Sequence, residues 1–147
     1  MKSKDKTTST PKRYIVDPSL GCAAMSISPD MLIDDLSTMG HMFENMCVRD
    51  ISIYCSTFGA KTYFYHDSLG LEADCVVVDP HGKWGLIEIK LRSAEIDAGV
   101  ESLNKVSDKI NKTHTGGLSF KMVVTGSGYS RVRSDGVIVC PISCLTA

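Results

Sequence analysis

The chain lacks any apolar run approaching the roughly 20 residues that span a bilayer, so no membrane partner is expected. It also lacks a charge excess. Lys and Arg total 16 against 17 for Asp and Glu, a formal net charge of −1, and nothing global advertises nucleic-acid binding. There is no phosphate-binding loop of the form Gly-x-x-x-x-Gly-Lys-Ser/Thr. The nearest stretch, GSGY from Gly126, is too short and has no lysine, which excludes P-loop ATPase chemistry in this chain. His41, His66, His81 and His114 are scattered through unrelated segments and make neither a metal-ligand pair nor a nucleophile–base arrangement. The opening MKSKDKTTSTPKR is basic and polar with no apolar stretch behind it, so it is not a secretory signal. A cytoplasmic location is expected.

What is present fits one domain. The 147 residues, 43% hydrophobic and 22% charged, suffice for a single compact core. Residues 1–12 read as a flexible tail or linker and 13–147 as the domain. Six cysteines could suggest disulfides, but Cys47, Cys55, Cys75 and Cys140 fall inside apolar patterns, where cysteine behaves as a small core residue. Cys140 and Cys144 are too widely spaced for the usual zinc pair, and no second pair accompanies them.

The organising stretch is LEADCVVVDPHGKWGLIEIKLR, residues 71–92. It reads as two strands rich in Val, Ile and Leu around a turn at Asp79, Pro80, His81 and Gly82. A three-residue loop puts Gly82 in the left-handed conformation and pairs Asp79 with Lys83. Counting back, Asp74 faces Glu88. Strand alternation then places Asp74, Glu88 and Lys90 on one face. Opposed carboxylates repel, and either a divalent metal or Lys90 would relieve them. Trp84 is expected to pack beside the turn.

Upstream, Ser28, Pro29 and Asp30 form a helix start: cap hydroxyl, proline in the first turn, acid at the positive end. That helix runs to about Leu36 and is interrupted near Gly40. A second covers residues 41–55, with Glu44 in the middle of a face made by Cys47, Val48, Ile51 and Cys55. A carboxylate there must be paired, metal-bound or at an edge reaching water. KTYFYH, residues 61–66, is an aromatic strand. After Lys90, Ser93 can cap a helix with Ile96, Val100, Leu103, Val106 and Ile110 at helical spacing. Residues 113–117 read as a loop, and buried strands follow at 120–125 and 136–142 around a polar loop at 126–135. The order is helix, three-strand meander, helix, strand, strand. It predicts an α/β domain with a mixed sheet flanked by helices.

An acid, a gap, then acid-x-Lys on the next strand resembles the core signature of PD-(D/E)XK nucleases, with Ala73 where that motif carries proline. Residues 14–147 resemble, more specifically, the domain of unknown function that follows the ATP-binding domain in many bacterial and archaeal AAA-type ATPases. The matching pieces are YIVDPSL (14–20), GHMFEN (40–45), YHDSLGLEAD (65–74) and IEIK (87–90), followed by a helix ending near Lys109. The resemblance implies a restriction-endonuclease-like fold, with Glu44 as the helix acid, Asp74 as the second acid and Glu88 with Lys90 as the final pair. Glu72 matches a family glutamate. The chain would be either an excised C-terminal domain or a stand-alone copy.

A live site would perform metal-assisted phosphodiester hydrolysis. Asp74 and Glu88 would hold Mg²⁺ or Mn²⁺, Glu44 would ligate directly or through water, and Lys90 would orient the attacking water or stabilise developing charge. The expected partners are nucleic acid and an ATPase domain in the parent or a neighbouring chain, with a homo-oligomer left open. The competing reading takes Leu86, Glu88 and Lys90 as the solvated face of an amphipathic strand, and the domain as a catalytically inactive interaction or regulatory module. A broad basic cleft around Asp74 and Glu88 would favour the nuclease. A neutral apolar patch elsewhere would favour docking.

Overall fold

A computed structural model describes residues 12–111 and 117–146. Most of the expected N-terminal tail and of the loop at 113–117 therefore lies outside the described residues. Three helices open the chain: α1 (Pro18–Ala24), α2 (Pro29–Asp34) and α3 (Leu36–Ser56). Strands β1 (Lys61–His66), β2 (Glu72–Val78) and β3 (Trp84–Lys90) follow, then a short 3-10 turn at Ser93–Glu95 that leads into α4 (Ile96–Asn111). β4 (Leu118–Thr125), β5 (Arg131–Val132) and β6 (Ile138–Pro141) complete one six-stranded sheet in the order β1-β2-β3-β4-β6-β5.

The meander β1-β2-β3 is antiparallel, while β4 pairs parallel to β3 and β6 parallel to β4. The β3-to-β4 crossover is made by α4, as parallel pairing requires. This is the mixed α/β sheet flanked by helices that the element order predicts. Two apolar layers hold it. On one face Ile96, Val100, Leu103, Val106 and Ile110 of α4 pack on Val76, Leu86, Val123 and Val139. On the other, Cys47, Ile51 and Cys55 of α3 pack on Cys75, Val77, Ile87, Ile89 and Val124. Cys47, Cys55, Cys75 and Cys140 are buried, as their apolar settings imply, and none is disulfide-bonded.

The turn between β2 and β3 forms as its residues dictate. Asp79 N–H donates to Lys83 O at 2.9 Å, Asp79 Oδ1 accepts from the His81 and Lys83 amides, and Gly82 takes φ +82°. Ser28 Oγ accepts from Met31 N–H, so the helix start at Pro29 holds. Trp84 is buried beside the turn.

The Asp17 carboxylate accepts from Ser19 N–H and starts α1. Two expectations are corrected. Gly40 does not interrupt a helix, because the break falls at Asp35, whose side chain caps α3 through Ser37 and Thr38. The polar stretch before Gly136 supplies a two-residue edge strand, β5, rather than only loop.

Candidate carboxylate–lysine site

The hairpin register carries the site. Cys75 pairs with Ile87 and Val78 with Trp84, and the same offset extended by one residue sets Asp74 across from Glu88, as the turn geometry predicts. Alternation, however, fails at Asp74. Tyr63 pairs with Val76 but Tyr65 pairs with Ala73, so Phe64 on β1 faces two residues, Asp74 and Cys75. That is a β-bulge, which re-aims a side chain and breaks the period of two. Ala73 and Val76 both face the α4 layer, while Cys75 and Val77 face the α3 layer. Asp74 is turned to the α3 side, where it lines a cavity with Val48, Arg49 and Ser52. Glu88 and Lys90 keep to the α4 side, lining a cleft with Ala98, Glu101 and Ser102. The expected single face is thus replaced by two groups that meet at the end of the sheet.

The first group is Glu44, Asp74 and two residues whose roles sequence reasoning missed, Lys12 and Tyr14. Lys12 Nζ lies 2.5 Å from Glu44 Oε1 and 3.6 Å from Asp74 Oδ1, and Tyr14 Oη donates to Glu44 Oε1 at 2.9 Å. Glu44, the acid in an apolar helix face, is therefore paired. Burial lowers the Lys12 pKa, but the hydrogen bond and charge of Glu44, with Asp74 behind it, more than offset this and raise it. Burial, reinforced by Glu44, holds the Tyr14 hydroxyl well above the usual phenol range. The one available signal was that the family-matching piece YIVDPSL begins at Tyr14. The partner, 30 residues away, has no local mark.

Asp74 is buried and accepts from Ile89 N–H through Oδ2 at 2.8 Å. Its pKa is raised by burial first and by Glu44 second, against the opposing pull of the Ile89 amide, Lys12 and Lys90. Glu88 is 4% exposed. Lys90 Nζ reaches its Oε1 at 2.9 Å, while Oε2 is buried with no hydrogen-bond partner among the described residues. Burial and then the negative charge of Asp74 push Glu88 up to about 7. The two carboxylates therefore feel each other across the fork between β2 and β3. Gly99 brings α4 against this pair: a Cβ there would lie 3.4 Å from Cγ of both Glu88 and Lys90. Glu72, matched to the family glutamate, stands at the exposed start of β2 and lines the Glu88–Lys90 cleft.

Among the described residues no three His, Cys, Asp or Glu side chains are grouped to hold a divalent cation as they stand. Two carboxylates remain as its donors: Asp74 Oδ1 and Glu88 Oε2 are hard oxygens, the latter buried and without a hydrogen-bond partner among the described residues, and Mg²⁺ characteristically takes one or two carboxylates and keeps its waters. A cleft of about 530 Å³ between Gly40, His41 and Glu44 of α3 and Lys90, Leu91 and Arg92 opens beside them. Its charges are mixed rather than broadly basic. No helix among the described residues is long and apolar enough to cross a membrane.

Fold and site together define a mixed α/β domain with a buried carboxylate–lysine cluster at the open end of its central hairpin. Residues 39–145 match the family model of a domain of unknown function, DUF4143, and the chain belongs to that family. No curated protein and no solved structure matches it.

Proposed function

We propose that this domain is a restriction-endonuclease-like, PD-(D/E)XK-type nuclease domain that hydrolyses phosphodiester bonds of nucleic acid with Mg²⁺ or Mn²⁺. The observation that carries the reading is Glu88: a buried carboxylate with one oxygen on Lys90 and the other without a hydrogen-bond partner among the described residues, its pKa pushed up to about 7 by burial and by Asp74. An acid perturbed by burial and a specific charge partner in a cleft is a candidate functional group. Asp74 and Glu88 would hold the metal, and Glu44 would reach it through a water. When bound, the ion polarises the scissile phosphate and lowers the pKa of an attacking water. Lys90, at the rim of the cleft, orients that water and stabilises charge developing on the phosphate. Asp74 is fixed by the Ile89 amide, and burial of Glu88 keeps bulk water from screening the site. The sequence resemblance supports reading such a domain as the companion of an AAA-type ATPase domain in the cytoplasm of a prokaryote.

One observation favours the second reading, a non-catalytic interaction or regulatory module. The N-terminal helices and the segment before them expose Val16, Leu20, Met31, Ile33 and Leu36, and exposed apolar residues of this number suit a docking face. Calorimetric titration with Mn²⁺, run with a cleavage assay on mixed DNA and RNA, separates the two. Mn²⁺ binding that is lost in Asp74→Asn, with cleavage that needs Lys90, supports the nuclease. A folded wild type that binds no Mn²⁺ overturns it and leaves the docking module.

A further inference from the structure

We infer that Lys12 is a built-in counter-ion that competes with the divalent cation for the Glu44–Asp74 carboxylates, so that the segment entering α1 gates metal loading. The inference rests on the metal-site reading above and adds a regulatory element to it. Lys12 Nζ contacts both acids, at 2.5 Å and 3.6 Å. The same ammonium stands 4.8 Å from the Phe64 ring centroid and 5.7 Å from that of Tyr14. A cation over two aromatic faces and between two carboxylates is well held, and it occupies the position of positive charge that the acids demand.

The anchoring of this segment makes Lys12 separable from the fold. Tyr14 Oη donates to Glu44 Oε1. With its amide oriented to suit its neighbours, Asn45 donates to Ile15 O at 2.7 Å and accepts from Ile15 N–H at 2.9 Å. Arg49 reaches Asp17 at 3.3 Å. Glu44, Asn45 and Arg49 of α3 thus anchor residues 14–17, whereas Lys12 is held, among the described residues, through its ammonium by ion pairs and ring contacts. Its long stem can swing outward without disturbing those bonds. A cation entering at Asp74 must displace the ammonium or share the carboxylates with it, and two like charges in one low-dielectric pocket repel.

The test is Mn²⁺ titration calorimetry on the wild type, Lys12→Met and Lys12→Arg, with thermal unfolding of each in metal-free and Mn²⁺-containing buffer. Methionine keeps the stem over the rings and removes the charge; arginine keeps the charge and controls for packing. Lys12→Met should bind Mn²⁺ roughly tenfold more tightly than wild type, since a competitor has been removed. It should melt lower without metal and gain more on adding it, with Lys12→Arg close to wild type. Equal Mn²⁺ affinity in wild type and Lys12→Met overturns the gate and leaves the metal site standing. Weaker binding in Lys12→Met overturns it too, by making Lys12 a strut that positions the acids. If none of the three proteins binds Mn²⁺, the metal reading itself fails and the gate with it. Should Lys12→Met not fold, Lys12→Gln gives the same decision: with the charge removed it must bind Mn²⁺ more tightly than both wild type and Lys12→Arg, or the gate is wrong.

Discussion

Ile89 N–H donates to Asp74 Oδ2 at 2.8 Å, so a side chain takes the bond that a regular antiparallel ladder would give to a backbone carbonyl. The substitution of carboxylate for carbonyl goes with the bulge at Asp74 and Cys75 opposite Phe64. One inserted position re-aims Asp74 toward α3, locks it to β3 and leaves Glu88 on the other side of the strand. The site's two-part geometry and its electrostatic tension both come from that residue.

Two substitutions at Asp74 separate its structural from its chemical role. In Asp74→Ala the Ile89 amide loses its buried acceptor, which costs about 1–3 kcal/mol. Asp74→Asn keeps an oxygen for that amide and removes a charge that repels Glu44, so metal-free stability should match or exceed wild type. Both should lose Mn²⁺ binding. Urea denaturation alongside calorimetry checks this. Equal destabilisation by Ala and Asn would mean that the bond to Ile89 contributes nothing.

Glu88 imposes a pH dependence whose sign is fixed. Its folded pKa, about 7, lies above the ordinary 4.5, so between those values the folded state binds more protons than the unfolded one. Metal-free stability must then fall as pH rises from 4.5 to 7, by at most about 3 kcal/mol. Asp74, also raised, acts in the same direction from a lower starting pH. Glu88→Gln should flatten the profile and be the more stable protein above pH 7. Denaturation midpoints measured from pH 4 to 8 decide the matter; a wild type that gains stability over this range rules the assignment out.

Much of this was legible in the residues, and the illegible part has a physical cause. The turn from Asp79 to Gly82 announces itself through side-chain chemistry, and it fixes the register that sets Asp74 across from Glu88. The apolar spacing of Ile96, Val100, Leu103, Val106 and Ile110 gives α4 and hence the crossover to β4. A bulge has no such mark: EADCVVV reads as a regular strand, and the extra residue is defined only by what β1 places opposite. Lys12 and Tyr14 were equally silent, because their meaning comes from Glu44, far along the chain. Asp17 and Asp35 did carry readable cap chemistry, but a short helix and a helix passing through Gly40 both defy the local statistics of turns and breaks.

Gly85 in β3 is required by packing rather than by conformation. A Cβ there would lie 2.3 Å from the Phe120 ring on neighbouring β4. Gly85→Ala should destabilise by about 1–3 kcal/mol through overpacking. Phe120→Ala should relieve that clash, so the double variant loses less than the sum of the singles. Strict additivity in chemical denaturation would show that the ring moves aside freely.

Lys90 gives the sharpest division between binding and turnover. Its ammonium neutralises one oxygen of a buried carboxylate; burial lowers the Lys90 pKa, but the charge and hydrogen bond of Glu88 together with the charge of Asp74 more than offset this, so the lysine stays charged. Lys90→Met removes the charge and keeps most of the stem. Glu88 then loses its ionic partner, its pKa rises above about 7, and the metal-free protein loses stability near neutral pH. Mn²⁺ becomes the remaining cation for that carboxylate, so affinity above pH 7 should be kept or increased. Cleavage should nevertheless fall by roughly 10²-fold or more, the scale on which removal of a charge-stabilising donor acts in the transition state. Parallel calorimetry and single-turnover cleavage at pH 8 read the two quantities independently. Retained binding with lost cleavage places Lys90 in the chemistry; undiminished cleavage removes it, and with it the reading of Glu88 and Lys90 as a catalytic pair.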